Sequence, residues 1–185
     1  MKRKKCLSVF LCILSFGLTF ATYGASNVEA IELSSPAFEN GGKIPIQYVM
    51  PGAGGKNISI PLIWKNAPAE VKSFAISMVD IHPVAKSWVH WLIINIPASV
   101  NSLPEGASRS AMPAGSKELK NSWGNIGYGG PQPPPGTGEH TYVITIYALK
   151  VESLDLPVEA SLDDFRKAIE GKVLDSASIS GKYGR

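Results

Sequence analysis

The sequence predicts a mostly β domain, a sandwich or barrel of antiparallel strands with peripheral helices toward its end. Three observations predict it. Apolar side chains alternate with a period of two in several separate segments, helical periodicity is confined to the end of the chain, and strands and helices never alternate in the βαβ manner. No internal repeat is visible.

Taken in chain order, residues 1–25 read as a signal peptide and residues 26–185 as one domain. Lys2, Arg3, Lys4 and Lys5 precede an apolar run from Cys6 to Phe20, and the small residues Ala21, Thr22, Gly24 and Ala25 offer cleavage sites after it. The run falls short of the roughly 20 residues that span a bilayer, so no stable membrane span is expected after processing. Cys12 follows bulky Phe10 and Leu11, which does not fit a lipoprotein signal. Both cysteines leave with the leader, so the mature chain has no disulfide, thiolate ligand or cysteine nucleophile. Four of the 18 basic residues leave as well, so 14 face 15 acidic ones and the formal charge falls from +3 to −1. Without a basic surface, no nucleic-acid partner is expected. The destination is the periplasm or the exterior.

Weaker strands are expected at Ile44–Val49 and Ile58–Trp64. Ser73–Asp80 alternates strongly, with Phe74, Ile76, Met78 and Asp80 on one face. Trp88–Ile96 alternates again, which groups Trp88, His90, Leu92, Ile94 and Ile96; both of its faces are apolar, as in a central strand. The stretch Pro97 to Glu139 carries no convincing element, yet Trp123 and Tyr128 argue for an ordered loop packed on the body. His140–Leu149 is the third clear strand and puts His140, Tyr142, Ile144 and Ile146 together. Ser161 can cap a helix with Leu162, Phe165 and Ile169 on one face and Gly171 as its stop; a second short helix is expected over Val173–Ser180.

The chain's three histidines, His82, His90 and His140, each lie near a predicted strand end. Antiparallel pairing across the Ile81–Ser87 loop would bring Asp80 to His90, and a carboxylate beside an imidazole raises its pKa and fixes its tautomer. A satisfied core histidine is the competing reading of His90 alone. The run Tyr128-Gly129-Gly130-Pro131-Gln132-Pro133-Pro134-Pro135-Gly136-Thr137-Gly138 leads into His140 and Tyr142. Its glycines let backbone approach a ligand and its prolines stiffen the path, which suits one wall of a pocket. Pro131 and Pro134 also fit a P-x-x-P ligand, a partner mode ill suited to an exported protein.

That run, with Asp80, Pro83 and Trp88-Val89-His90-Trp91, closely resembles the phosphatidylethanolamine-binding proteins (PEBP), in their bacterial Raf-kinase-inhibitor-like branch of YbhB/YbcL type. The resemblance runs from about Leu33 to Arg185 and implies a PEBP-like β-sandwich of antiparallel sheets, with peripheral C-terminal helices and a small anion pocket. It maps the ligand-binding residues to Asp80, His90, Gly130, Pro131, Pro133, Pro134, His140 and Tyr142. It implies that His90 and Tyr142 donate to the anion, that Asp80 and His140 shape and polarise the site, and that Tyr183 closes it. Two departures are specific to this chain. His82 stands near the place of the family's second acid, which removes a partner for a cationic amine, and Thr141 stands where the family has arginine.

The function expected first is capture of a small phosphoryl or carboxylate ligand, such as a phosphorylated head group, without turnover or cofactor. No G-x-S-x-G, P-loop or H-E-x-x-H motif is present. The alternative is an interaction protein that inhibits a protease or kinase. A third reading, a zinc hydrolase using Asp80, His82, His90 and His140, rests on the clustering of ligating residue types alone.

Overall fold

A computed structural model describes residues 29–185, so the expected leader and both cysteines lie outside the described residues. The strongest alternation in the sequence becomes the centre of the molecule. Strand β3 (Ser73–Asp80) is buried along its whole length and pairs antiparallel with β4 (Trp88–Pro97) on one side and β7 (Glu139–Leu149) on the other. Short β6 (Lys117–Glu118) extends the sheet beyond β4, and β8 (Val173–Gly184) extends it beyond β7, giving the order β6-β4-β3-β7-β8. A smaller sheet has the order β1-β2-β5, from β1 (Glu32–Ser34), β2 (Leu62–Lys65) and β5 (Ser102–Leu103).

The two sheets pack face to face. Leu33, Leu62, Trp64 and Leu103 of the small sheet meet Phe74, Ile76, Met78, Ile144, Ile146 and Ile179 of the large one. The other face of the large sheet is covered by the helix α1 (Leu162–Ile169), whose Phe165 and Ile169 join Ala75, Val89, Leu92 and Ile94 in a second apolar layer. The described residues therefore form a β-sandwich with one peripheral α-helix, and among them no helix is long and apolar enough to cross a membrane.

Three expectations need correction. Val173–Ser180 is the first part of edge strand β8, not a helix: Ala177, Ile179 and Tyr183 turn inward at every second residue, and β7 offers an unpaired edge to receive them. Ile44–Val49 is no strand. Pro45, which lacks an N–H, precedes a 3-10 turn at Ile46–Tyr48 that buries Tyr48 and leaves Ile46 exposed. The strand expected over Ile58–Trp64 begins only at Leu62, directly after Pro61.

A fourth departure is the phase of β4. Its register against β3 shifts between the pairs Met78–Trp91 and Val79–Val89, so His90 is the extra residue of a β-bulge. Val89 consequently packs with Leu92 and Ile94 on the helix side, while Trp91 and Ile93 face the small sheet. A second irregularity surrounds Asn95, whose φ of 60° is left-handed. Its side chain accepts from Leu154 N and donates to Leu154 O, fixing the loop that leads to α1.

Candidate functional site

Antiparallel pairing gathers the end of β3 and the beginnings of β4 and β7 at one edge of the large sheet. Asp80 stands directly opposite Trp88 on one neighbour and Tyr142 on the other, and His140 lies two residues before Tyr142. Since directly opposed residues share a face, this register alone places Asp80, Tyr142 and His140 together. The β4 bulge adds His90 to the same group; with unbroken alternation it would have followed Leu92 to the helix side.

These four side chains line a pocket of about 220 Å³, together with Val84, Ala85, Trp88, Trp123, Gln132, Pro133 and Pro134. That is smaller than the pockets that hold drug-sized ligands, which begin at roughly 300 Å³. Six of the eight sequence-derived site residues therefore face the pocket, and two stand behind it. Gly130 lies against the Tyr48 carbonyl, where an added Cβ would come within 2.0 Å of the oxygen, and its N–H donates to Asn57 Oδ1 at 2.7 Å. Pro131 is buried and its carbonyl accepts from Met50 N at 3.1 Å. Both hold the glycine-proline wall in place. Gly129 is a further tight position, because Trp123 packs on its backbone with 2.7 Å left for a Cβ.

The wall is also anchored at its far end, where Arg185 donates from Nε to Pro133 O at 2.6 Å and from Nη1 to Gly52 O at 2.7 Å. Thr141, in the place of the family's arginine, is half-buried on the opposite side of β7 from His140 and Tyr142. Tyr183 pairs with His140 across β7 and β8, but its hydroxyl donates to Ala53 O at 3.2 Å and it does not line the pocket.

Asp80 and His140 form the polar centre. His140 Nδ1 donates to Asp80 Oδ2 at 2.6 Å, both side chains being buried, and Asp80 Oδ1 accepts from His82 N at 2.9 Å. The other ring nitrogen of His140, Nε2, is 2.9 Å from Thr137 Oγ1, which itself donates to Pro134 O at 2.8 Å. His82 stacks on His140, ring centroids 3.9 Å apart and 14° from parallel, but does not line the pocket. With both His140 nitrogens engaged, no group of three or more His, Cys, Asp or Glu among the described residues is arranged to hold a metal ion. The zinc reading has no such group to rest on.

His90 behaves differently from the expectation that Asp80 would raise it. Burial is the largest influence and pushes its pKa from 6.5 down to about 4, against smaller upward contributions from the Gly129 carbonyl and Asp80. Asp80 bonds His140, not His90. His90 Nδ1 lies 2.6 Å from Gly129 O, which can only accept, so Nδ1 carries the proton and the neutral ring keeps its lone pair on Nε2. Trp123 and Tyr142 meet the ring edge-on at 5.0 and 4.9 Å. The Tyr142 hydroxyl is buried and has no hydrogen-bond partner among the described residues. Burial and the Asp80 charge hold it well above the usual phenol range, so it is a permanent O–H donor.

Trp88, Trp123, Val84, Ala85 and Gln132 were not among the sequence-derived pocket residues. Trp88 carried a signal, as the residue opposite Asp80 once the hairpin is paired; Trp123 arrives from a loop whose path no periodicity encodes.

Comparison with known proteins identifies the family and the fold. Residues 34–184 match the family model described as phosphatidylethanolamine-binding protein. A UPF0098 protein of Aquifex aeolicus is 38% identical over 155 residues, covering 84% of this chain and 89% of its own. The Escherichia coli UPF0098 protein YbcL is 33% identical over 174 residues, covering 91% of this chain and 92% of its own. The crystal structure of E. coli YbcL, described as a new member of the mammalian PEBP family, superposes with a TM-score of 0.79 over 85% of this chain and 99% of that one, at 29% identity. A phosphatidylethanolamine-binding protein from Plasmodium vivax shares the fold, with a TM-score of 0.54 at 14% identity over 88% of this chain and 90% of that one. The chain belongs to the phosphatidylethanolamine-binding protein family, in its YbhB/YbcL-type branch.

Proposed function

We propose that this chain is an exported binding module that holds a small phosphoryl or carboxylate group at the end of its sandwich, without chemical turnover. The observation that carries the reading is the buried convergence of Asp80, His90, His140 and Tyr142 on a pocket of head-group size. The Tyr142 hydroxyl has no partner of its own, and a guest oxygen would satisfy it. The negative charge of Asp80 is met by donors from His140 and His82, which reduces its repulsion of an anion. Among the described residues no Ser, Thr or Cys side chain lines the pocket, which supports binding over nucleophilic catalysis. The basic and apolar leader in the sequence supports export.

Calorimetry with phosphate, phosphoethanolamine and acetate tests the reading. Binding heat for at least one of them, abolished in His90→Ala with the fold retained by circular dichroism, is the expected result; no heat from any of the three would sink it.

A second reading, regulation of a protease or kinase by direct contact, has its own support. Val84 and Trp88, which line the pocket, are 54% and 38% exposed, an apolar rim of the kind that docks partners. Recovery of a partner from envelope extract by the wild type, and not by Val84→Ser, would favour it.

A further inference from the structure

We propose that the pocket selects a phosphomonoester bearing one acidic proton, over a phosphodiester or a sulfate ester, because the only unclaimed nitrogen that His90 turns to a guest is an acceptor. The inference rests on the anion-binding reading above and deepens it to a ligand class.

The geometry is a matter of counting donors and acceptors. His90 Nδ1 is committed to the Gly129 carbonyl at 2.6 Å, and Gly129 N in turn donates to His90 O at 2.9 Å, so ring and wall are clamped together. Only Nε2 remains for a ligand, and in the neutral ring it carries a lone pair. The titratable groups around the ring are Asp80 from β3 and His140 and Tyr142 from β7, with His82 stacked behind His140. Both Asp80 oxygens already hold a donor, from His140 Nδ1 and from His82 N. Tyr142 offers a proton. His90 and Tyr142 therefore present one acceptor and one donor to the same guest.

A fully deprotonated anion satisfies Tyr142 and leaves Nε2 facing a lone pair. A monoanionic phosphomonoester satisfies both, accepting from Tyr142 through one oxygen and donating its P–OH to Nε2. One proton is shared between Nε2 and the phosphoryl oxygen in the complex, whichever of the two holds it. The free ring stays neutral above about pH 5, since burial lowers it to about 4, so the ligand has to bring that proton or it must be drawn from solvent. A phosphomonoester brings it up to its second dissociation near pH 6; a diester or a sulfate ester has none to bring.

Methyl phosphate and methyl sulfate separate the cases, because near pH 5.5 they have the same charge and almost the same shape and differ in one proton. Calorimetry of the purified protein should show methyl phosphate binding at least about tenfold more tightly at pH 5.5, the cost of leaving a buried acceptor unmade. From pH 6.5 to 8.5 its affinity should fall, approaching tenfold per pH unit, with close to one proton taken up as judged from buffers of different ionisation enthalpy. Nitrogen NMR of the free protein at pH 7 should show the neutral Nδ1–H tautomer of His90. Methyl sulfate binding within threefold of methyl phosphate, a flat pH profile, or an Nε2–H ring each overturns the inference while leaving anion binding intact. If neither compound binds, the anion-binding reading falls and takes this one with it.

Discussion

Asp80 and His140 come from different strands, stand diagonal to one another in the register, and still meet at 2.6 Å with both side chains almost fully buried. Asp80 is directly opposite Tyr142, so His140 has to lean two residues along β7 to reach it, and Thr137 and the His82 ring hold it there. Asp80→Asn keeps the shape and removes the charge-assisted acceptor. A buried hydrogen bond to a carboxylate contributes about 2 kcal/mol, and urea denaturation at pH 7 should show a loss of that order. A loss below about 0.5 kcal/mol would mean that the pair contributes nothing to the fold.

His90 should make the protein acid-sensitive. Its pKa is about 4 in the folded chain and about 6.5 unfolded, so between those values the unfolded state binds more protons than the native one. Its stabilising effect is complete above about pH 6.5 and is lost as pH falls toward 4, at up to about 1.4 kcal/mol per pH unit and about 3 kcal/mol in all. Carboxylates titrate in the same range, so the comparison that isolates the ring is wild type against His90→Gln at pH 4.5, 5.5 and 7. The variant should show the shallower slope; parallel slopes would contradict the buried neutral ring.

Much of the core was legible because its strands are regular. Ser73–Asp80 and His140–Leu149 alternate without interruption, so their inward faces, the site residues Asp80, His140 and Tyr142 among them, could be read from period alone. His90 could not, because a bulge is a property of two strands in register and the sequence of one strand does not show it. The reading of Val173–Ser180 failed for a related reason. Its inward residues include small Ala177 among outward serines, a weak pattern that acquires meaning only against the open edge of β7. Trp88 and Trp123 join the pocket through a hairpin register and a loop path, both non-local.

The helix is the part whose local chemistry is most self-sufficient. Ser161 Oγ accepts from Asp164 N at 3.1 Å, Asp164 Oδ2 accepts from Ser161 N at 3.0 Å, and Gly171 beyond the end takes a φ of 67°. The Ser161 hydroxyl, donating to Asp164 Oδ2 at 2.7 Å, and then the Ser161 N–H hold the Asp164 carboxyl below its usual range. Ser161→Ala should cost about 1 kcal/mol in chemical denaturation, and because α1 lies on the face of the sheet away from the small one it should leave ligand affinity unchanged.

The glycines of the wall should differ sharply in their tolerance of a methyl group, which tests whether the wall is a packed structure or a loose rim. Gly136 has a φ of +80° and open space around its missing Cβ, so Gly136→Ala meets only backbone strain, about 1 kcal/mol. Gly130 faces the opposite situation, with the Tyr48 carbonyl, and behind it Val49, where the methyl would go. That carbonyl cannot yield freely, since it already accepts the Tyr128 hydroxyl at 2.8 Å, and Tyr128 is wholly buried against Trp91. Gly130→Ala should therefore shift the wall or the Tyr48 turn and cost about 3 kcal/mol or more, the range of overpacked cores. Thermal melts of the two variants side by side decide the matter: equal midpoints would mean that Gly130 is not pressed on Tyr48 in solution, and the account of how Gly129 is held against His90 would lose its support.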